Sequence, residues 1–293
     1  MTRPKKDQVR KVGKSLDSGQ KDKSYLDFAG LSRIAYKREL VNRYLAANAT
    51  PFMILEQAEI VKSLGYFRRH LPEVQLYYAV KANPHPHVLT TVKSHGAFVD
   101  VASHGEILKA LEHGFTGAQM ILANPYKNEA ALKAMFELGI SMFTFDSHRE
   151  LQRIADFKKR HGYDFSPKCL LRFRPQVTKF SRASDGPEVQ VNLASKFGAP
   201  VEEGLELLGL AKQLALQPSG IAYHIGSNCY RVPNYINNFK SAIALLREAN
   251  ARLNLNMSIV DLGGGFPNHT ATAKGVEDLD EFYQRIAAGL RAE

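Results

Sequence analysis

The sequence predicts an α/β fold in which a parallel sheet is covered by amphipathic helices. Short, nearly continuous apolar runs alternate with stretches of helical periodicity, and polar or glycine-bearing groups follow the apolar runs at one end. Parallel strands buried on both faces are continuously apolar in this way. Such repeats suit either a barrel of the triosephosphate-isomerase type or a doubly wound open sheet. Functional residue types recur at the same end of strand after strand, which favours the barrel.

The elements follow in a regular order along the chain. The candidate strands are Gln75–Val80, Ala97–Val101, Met120–Ala123, Ser141–Phe145, Lys168–Phe173, Ser219–Tyr223 and Met257–Leu262, after an apolar run of strand length at Pro51–Leu55. The candidate helices are Gln57–His70, Gly105–Glu112, Glu129–Leu138, Ser147–Arg160, Glu202–Leu214, Tyr235–Leu253 and Leu279–Arg291. In the first of these helices, apolar residues such as Ile60, Leu64 and Phe67 recur at helical spacing.

Composition and charge narrow the class of protein. The chain has 293 residues and a net charge of +10, and residues 1–24 carry eight Lys or Arg against three Asp, or 8 − 3 = +5. This segment is poor in apolar residues, so we expect a disordered basic tail at 1–24 and a barrel domain over 25–293. A basic tail alone gives only salt-sensitive contact with nucleic acid, and no nucleic-acid partner is expected.

The sequence gives no sign of a membrane protein or a metalloprotein. It contains no run of eighteen apolar residues and no apolar leader, so we expect a cytoplasmic protein without a membrane partner. Cys169 and Cys229 lack metal-ligand spacing and are expected to be reduced, buried thiols, and no metal is expected.

Lys81 directly follows the strand predicted at Gln75–Val80. A lysine at the end of a buried strand is costly unless it is paired or neutralised, and a neutral amine condenses with carbonyl groups. Lys81 is therefore either a reactive amine or a solvated lysine just past a strand end, and on spacing alone the solvated lysine is the simpler interpretation. Both interpretations remain open at this point.

Two neighbouring features suggest a phosphate site. Gly263, Gly264 and Gly265 follow an apolar strand, and successive glycines can turn several N–H groups toward one anion, although such a run can equally be a tight turn. His224 ends another strand, and the Ser227 hydroxyl follows it. No nucleotide-binding glycine motif occurs, so we expect one phosphate without a nucleotide.

Three acidic residues have two possible interpretations each. Asp100 and Glu106 could hold the charge of Lys81, but Asp residues before helices are often N-caps and many carboxylates are simply exposed. Asp146 precedes a predicted helix and is a candidate N-cap for the same reason.

Taken in order, seven motifs resemble the fold-type III pyridoxal-phosphate decarboxylases, which include ornithine, lysine, diaminopimelate and arginine decarboxylases. The motifs are Tyr78–Asn83, Phe98–Ser103, Ala123–Lys127, Phe143–Ser147, Lys196–Gly198, His224–Ser227 and Asp261–Pro267. The resemblance runs from about Pro51 to Pro267 and is strongest to the ornithine/lysine branch. It implies an alanine-racemase-like (β/α)8 barrel and pyridoxal 5′-phosphate as the cofactor.

The resemblance also implies roles for single residues. Lys81 would hold the cofactor as an imine, and His224 would stack on its ring. Ser227 and the amides of Gly263, Gly264 and Gly265 would hold the phosphate, while Asp100, Glu106 and Arg172 would line the site. The implied activity is decarboxylation of ornithine or lysine to a diamine, in polyamine biosynthesis, by a homodimer.

Other functions stay open beside this one. A diaminopimelate or arginine decarboxylase has the same motifs, and a non-catalytic regulatory homologue shares the fold, although it has no need of Lys81 and His224. An alanine-racemase-like enzyme fits Phe143–Ser147 less well. In the family that the sequence resembles, the eighth strand of the barrel carries a Glu-Pro-Gly-Arg motif and a C-terminal β domain follows. This sequence lacks both the motif and that domain. Two explanations of the difference are that the chain is a fragment of a longer enzyme or that it is a shortened homologue.

Overall fold

A computed structural model of the chain describes residues 55–177, 196–227, 229–267 and 278–293, together with Asn42 and Ala46. The predicted basic tail at 1–24 and residues 51–54 of the predicted first apolar run lie outside the described residues. The structural statements below concern the described residues.

The sheet consists of parallel strands whose spatial order is their order in the chain. The strands are β1 (Tyr77–Ala79), β2 (Phe98–Val101), β3 (Met120–Leu122), β4 (Met142–Phe145), β5 (Lys168–Arg172), β6 (Gln217–Ala222) and β7 (Ile259–Asp261). A doubly wound sheet reverses its strand order at a switch point, whereas this one does not. The prediction of a barrel-type α/β fold is therefore confirmed, and the described part of the sheet has seven strands.

Helices separate successive strands and cover the outer face of the sheet. They are α1 (Gln57–His70), α2 (Pro86–Ser94), α3 (His104–Glu112), α4 (Glu129–Glu137), α5 (His148–His161), α6 (Gly204–Gln213), α7 (Val232–Leu253) and α8 (Leu279–Arg291). The sequence analysis missed α2, which begins with Pro86 at its first position and is capped by the side chain of His85. Proline is favoured at that position because its missing N–H would have no partner there.

The curvature of the sheet is visible in a small cluster on its inner face. Ile121, Leu170 and Ala222 are buried there, and Tyr77, Ala123, Met142 and Ile259 pack against them. Each of these residues lies in, or directly follows, β1, β3, β4, β5, β6 or β7. A flat sheet could not bring residues from strands so far apart into one cluster. The main core lies between the sheet and the helices.

The helical layer returns to its starting point. The hydroxyl of Tyr66 in α1 donates to Asp280 of α8 at 2.9 Å, and Arg291 at the end of α8 pairs with Glu73 at 2.6 Å. The last helix therefore packs beside the first. Within the described ranges, none of the helices combines the length and the hydropathy needed to cross a bilayer.

The pairing of β5 with β6 contains one irregularity. Cys169 pairs with Pro218, but Leu170 pairs with Gly220, so Ser219 is an extra residue on β6. From there the register continues to Arg172 opposite Ala222. Gly220 has no room for a side chain, because a Cβ there would lie 2.1 Å from the carbonyl oxygen of Ile259.

Candidate functional site

The carboxyl ends of the strands bring the predicted residues to one edge of the sheet. Lys81 lies in a 3₁₀ turn, Val80–Ala82, that follows β1, Asp100 lies within β2, and Arg172 ends β5. His224 comes two residues after β6. Because all strands are parallel, these side chains meet at the same edge.

Lys81 itself is exposed. Of the two interpretations that its spacing left open, the solvated lysine just past a strand end describes its position, because the residue sits in the 3₁₀ turn after the strand. Its charge nevertheless reaches the other groups, since it lowers the pKa of both Asp100 and His224. The amine therefore lies at an open position among the charged groups of the site.

Asp100 carries the largest pKa shift among the carboxylates of the site. Loss of solvent raises its pKa from 3.8 to about 7, helped by the negative charges of Asp261 and Glu106 and opposed by Lys81 and Arg172. Burial disfavours the charged form of a carboxylate, which explains the direction. Asp100 is neither the N-cap nor the surface carboxylate that the sequence also allowed, because Ser103 caps α3 by accepting from the amide of Glu106.

His224 is held as a neutral imidazole. Burial lowers its pKa from 6.5 to about 4, and the positive charges of Arg172 and Lys81 act in the same direction. The amide of Gly264 donates to its Nδ1 at 3.1 Å, so the proton of the neutral ring lies on Nε2. The ring orientation is thus fixed by the glycine turn that follows β7.

Arg172 stands between several carboxylates. Burial lowers the pKa of the guanidinium, whereas Asp146, Asp261 and Asp100 raise it, and an arginine remains charged in any case. Its NH1 group donates to the carbonyl oxygen of Ala123 at 3.5 Å. Arg172 is therefore the cation that balances the acidic groups at this edge.

The glycine turn after β7 has a structural explanation at two of its three positions. Gly263 has φ +65°, and a Cβ there would lie 2.2 Å from the carbonyl oxygen of Tyr223. Gly265 has φ +97°, and its Cβ would lie 2.0 Å from the carbonyl oxygen of Gly226. The close approach expected toward a ligand is thus an approach to the chain that leaves β6.

Two of the three backbone amides of this turn already donate hydrogen bonds within the chain. Gly263 donates to Asp261 at 2.8 Å, and Gly264 donates to His224. The expected role of all three amides in phosphate binding stays a prediction, and Gly265 is the one without a hydrogen-bond acceptor among the described residues. Ser227 is exposed and directly follows Gly226, so its hydroxyl lies beside the same turn.

Two further predicted acids have partners in the structure. Glu106 accepts from the amide of Ala102 at 2.9 Å, and its own amide donates to the Ser103 hydroxyl that caps α3. The interpretation of Asp146 as an N-cap is wrong, because Ser147 caps α5 through the amide of Glu150. Asp146 accepts instead from the amide of Gly198 at 2.8 Å.

Asp261 belongs to one of the seven predicted motifs, but no role was predicted for it. It lies at the end of β7, accepts from Gly263, and has a pKa raised by burial and lowered by Arg172. A carboxylate inside an apolar strand was the available signal. Phe197 was likewise quoted without a role, and its ring lies 5.4 Å from the Arg172 guanidinium.

The side chains present suit a phosphorylated aldehyde. An exposed primary amine can form a covalent bond to the carbonyl carbon, and a neutral imidazole can pack on a planar ring. A hydroxyl and a glycine turn at the end of a strand suit a phosphate, and Arg172 adds positive charge. The arrangement therefore fits pyridoxal phosphate, on the chemistry of its groups.

Comparison with known proteins agrees with this fit. Residues 57–292 match the family model of the pyridoxal-dependent decarboxylases, pyridoxal binding domain. The chain belongs to this family. The cofactor of this pyridoxal-binding domain is pyridoxal phosphate.

The relatives include decarboxylases of basic amino acids. A lysine/ornithine decarboxylase of Selenomonas ruminantium is 35% identical over 81% of this chain and 56% of its own length. The crystal structure of SrLDC in complex with PLP and cadaverine has a TM-score of 0.74 at 32% identity, over 86% of this chain and 60% of that one. The Paramecium bursaria Chlorella virus arginine decarboxylase bound to agmatine has a TM-score of 0.73 at 27% identity, over 87% and 65%. The chain thus spans little more than half of the length of this lysine/ornithine decarboxylase.

Proposed function

We propose that the chain is the cofactor-binding barrel of a decarboxylase that acts on a basic amino acid, ornithine or lysine, and releases a diamine. The observation that carries the proposal is the exposed amine of Lys81, set within electrostatic reach of Asp100 and His224 at the strand ends. The similarity to a lysine/ornithine decarboxylase at 35% identity supports the substrate class.

In this proposal pyridoxal phosphate, when bound, supplies the electron sink for the departure of carbon dioxide. Lys81 binds it through its Nζ atom. Ser227, Gly265 and the positive charge of Arg172 hold the phosphate end of the site, and His224 supports the ring as an uncharged group.

Asp100 supplies a place for a proton beside the amine. Its pKa of about 7 means that the carboxyl group is part protonated and part ionised near neutral pH. The ionised form can therefore accept a proton at this edge of the site, where bond formation needs a neutral amine. Burial raises the pKa of Asp261, whereas the hydrogen bond from Gly263 and the positive charge of Arg172 lower it, so this second carboxyl group belongs to the same set of interacting charges.

The proposal includes the organisation of the whole protein. Residues 25–293 form the barrel domain and residues 1–24 a basic tail, and the active form is a cytoplasmic homodimer that contributes to polyamine biosynthesis. Sedimentation of the longest form that the gene encodes tests the assembly. A monomer with full activity would contradict the dimer.

Reduction with borohydride in the presence of pyridoxal phosphate, followed by peptide mapping, tests the central step. We expect a pyridoxyl group on Lys81 and none in Lys81→Ala. The matched control is Lys133→Ala, an exposed helical lysine 64% accessible at its side chain, which should label like the unsubstituted chain. Labelling that persists in Lys81→Ala would overturn the assignment.

Substrate class is tested separately, by carbon dioxide release from ornithine, lysine, arginine and diaminopimelate. Ornithine or lysine should be the fastest substrate of the longest encoded form. Release from arginine or diaminopimelate alone would move the protein to another branch. Labelling of Lys81 without release from any of the four would favour the non-catalytic homologue.

A further inference from the structure

Phe197 is a large aromatic residue left 46% exposed at the catalytic edge of the sheet. It belongs to a short segment that lies beside the end of β5, although Phe197 comes 25 residues after Arg172 in the chain. Its ring centre lies 5.4 Å from the guanidinium carbon of Arg172. A guanidinium near an aromatic face is attracted by the ring quadrupole.

The backbone around Phe197 is held firmly against the end of β5. Ala199 donates to the carbonyl oxygen of Arg172 at 3.0 Å, and Arg174 donates to that of Ala199 at 2.7 Å. These bonds form a parallel bridge between Phe173 and Ala199. The position of Phe197 is therefore set by backbone pairing on its carboxyl side.

A side chain that directly follows β4 secures the same segment. Asp146 accepts from the amide of Gly198 at 2.8 Å, and Gly198 has φ +100° with a would-be Cβ only 2.7 Å from the Arg174 nitrogen. The glycine is thus required for the close approach, and the carboxylate fixes the residue next to Phe197.

Arg172 needs such a support. Among the described residues, the one hydrogen bond of its guanidinium is the 3.5 Å contact with the carbonyl oxygen of Ala123. Asp146, Asp261 and Asp100 attract the guanidinium from three strands, so several placements of its charge would be similarly favourable. A ring lying over the guanidinium selects one of them.

We infer that Phe197 is a positioning residue of the site, whose ring, secured by the hydrogen bond between Asp146 and Gly198, holds the Arg172 guanidinium beside Asp100, Asp261 and His224. This deepens the proposed function, since it says what places the cation of the cofactor site. The inference concerns the chain's own residues, so it is testable without cofactor.

The titration of His224 reports where the charge of Arg172 lies. The charged groups that act on the imidazole are Arg172 and Lys81, and both lower its pKa. If Phe197 no longer holds Arg172, the cation moves away and the midpoint of His224 rises. The measurement is the NMR titration of the imidazole in the 293-residue chain, with His224→Gln identifying the signal.

The first pair of variants is Phe197→Leu and Phe197→Tyr. We expect Phe197→Leu to raise the His224 midpoint by on the order of half a pH unit, the size of a moderate charge effect. Phe197→Tyr keeps the aromatic face and should leave the His224 midpoint at the value of the unsubstituted chain. Phe165→Leu is the control, because Phe165 is 41% exposed and precedes β5 at the opposite end. An unchanged midpoint in Phe197→Leu, or an equal rise in Phe165→Leu, would overturn the inference.

The second pair separates the hydrogen bond from the charge of Asp146. Asp146→Asn retains an oxygen that can accept from Gly198 and should leave the His224 midpoint unchanged. Asp146→Ala removes the acceptor and should raise the midpoint as Phe197→Leu does. Equal behaviour of the two variants would contradict the proposed role of the hydrogen bond.

A double variant tests whether Phe197 acts through Arg172. Arg172→Gln alone should raise the His224 midpoint, and adding Phe197→Leu should then change nothing. A further rise in the double variant would show that Phe197 acts on His224 by another route and would overturn the inference. If pyridoxal phosphate fails to label Lys81 but these titrations behave as expected, the proposed function fails and the positioning role stands.

Discussion

The ammonium group of Lys127 lies 3.6 Å from a carboxylate oxygen of Glu150, and the two side chains are 0% and 6% exposed. Lys127 also donates to the carbonyl oxygens of Asn124, Pro125 and Thr144, at 2.8, 3.1 and 2.6 Å. Burial lowers the pKa of Lys127 to about 8, and Glu150 raises it. Lys127 therefore ties the loop after β3 to Glu150 in α5 and to Thr144 in β4, next to the strand ends that form the site.

Removal of the Lys127 charge should destabilise the chain strongly. Lys127→Met removes a hydrogen bond from each of three carbonyl oxygens, two of them in buried contacts, and removes one of the two cations that contact Glu150, the other being Arg153 at 2.8 Å. Loss of one partner from a buried pair costs about 3 kcal/mol or more. Urea unfolding measures the cost.

The control for Lys127 is Lys133→Met. Lys133 pairs with Glu137 at 3.8 Å on the surface, where such pairs contribute less than about 1 kcal/mol. Similar costs for Lys127→Met and Lys133→Met would contradict the buried pairing.

Asp100 should make the fold more stable as the pH falls. Its pKa in the fold is about 7, against 3.8 ordinarily, so the folded chain binds the proton more tightly than the unfolded chain. Stability from this group therefore increases as the pH falls from 7 toward 3.8, and it is lowest above 7. Asp100→Asn removes the cost of the ionised form.

The measurement is the difference in unfolding free energy between Asp100→Asn and the unsubstituted chain, at several pH values from 4 to 8. The variant should gain most at pH 8, and the gain should shrink as the pH falls to 4. A difference that does not vary with pH would mean that the Asp100 carboxyl group titrates normally in the fold.

His224, unlike Asp100, should make the fold less stable as the pH falls. Its pKa in the fold is about 4, below the ordinary 6.5, so the unfolded chain takes up the proton first. Stability from this group is present above pH 6.5 and is lost as the pH falls toward 4. His224→Gln should flatten this part of the profile. A slope in His224→Gln equal to that of the unsubstituted chain would contradict the prediction.

The three glycines after β7 should tolerate alanine unequally. Gly263→Ala and Gly265→Ala put a Cβ within about 2 Å of carbonyl oxygens and require a left-handed backbone, which alone costs on the order of 1–2 kcal/mol. Gly264→Ala meets only the His224 ring at 3.6 Å, an ordinary contact. Thermal unfolding should rank Gly264→Ala nearest to the unsubstituted chain. Equal destabilisation by all three would contradict the geometry of the turn.

Local patterns were sufficient to predict the sheet and the edge at which the site lies. Apolar runs marked the strands because parallel strands are buried on both faces, and the residues that follow them, such as Lys81 and His224, fall at one edge by topology alone. The ends were less predictable. Val80 was assigned to β1, but it begins the 3₁₀ turn that carries Lys81.

Relationships between distant residues could not be read from the chain. Lys127 and Glu150 are 23 positions apart, and nothing local marks either as buried. Asp146 looked like a helix cap because Asp and Ser both suit that position, and only the structure shows that Ser147 takes it. Its true partner, Gly198, lies 52 residues further on. The catalytic and cofactor roles of the predicted site residues stay predictions.

The extra residue on β6 has a consequence for anyone who edits this chain. Cys169 and Leu170 are adjacent and pair with Pro218 and Gly220, so deleting Ser219 would leave both pairs and the register of the rest of β6 in place. His224 would keep its face, because side chains alternate from Gly220 onward as before. Deleting a residue between Gly220 and His224 would instead turn the imidazole from the interior of the barrel toward its helices, so the one residue that this strand can lose without losing its site is the unpaired one.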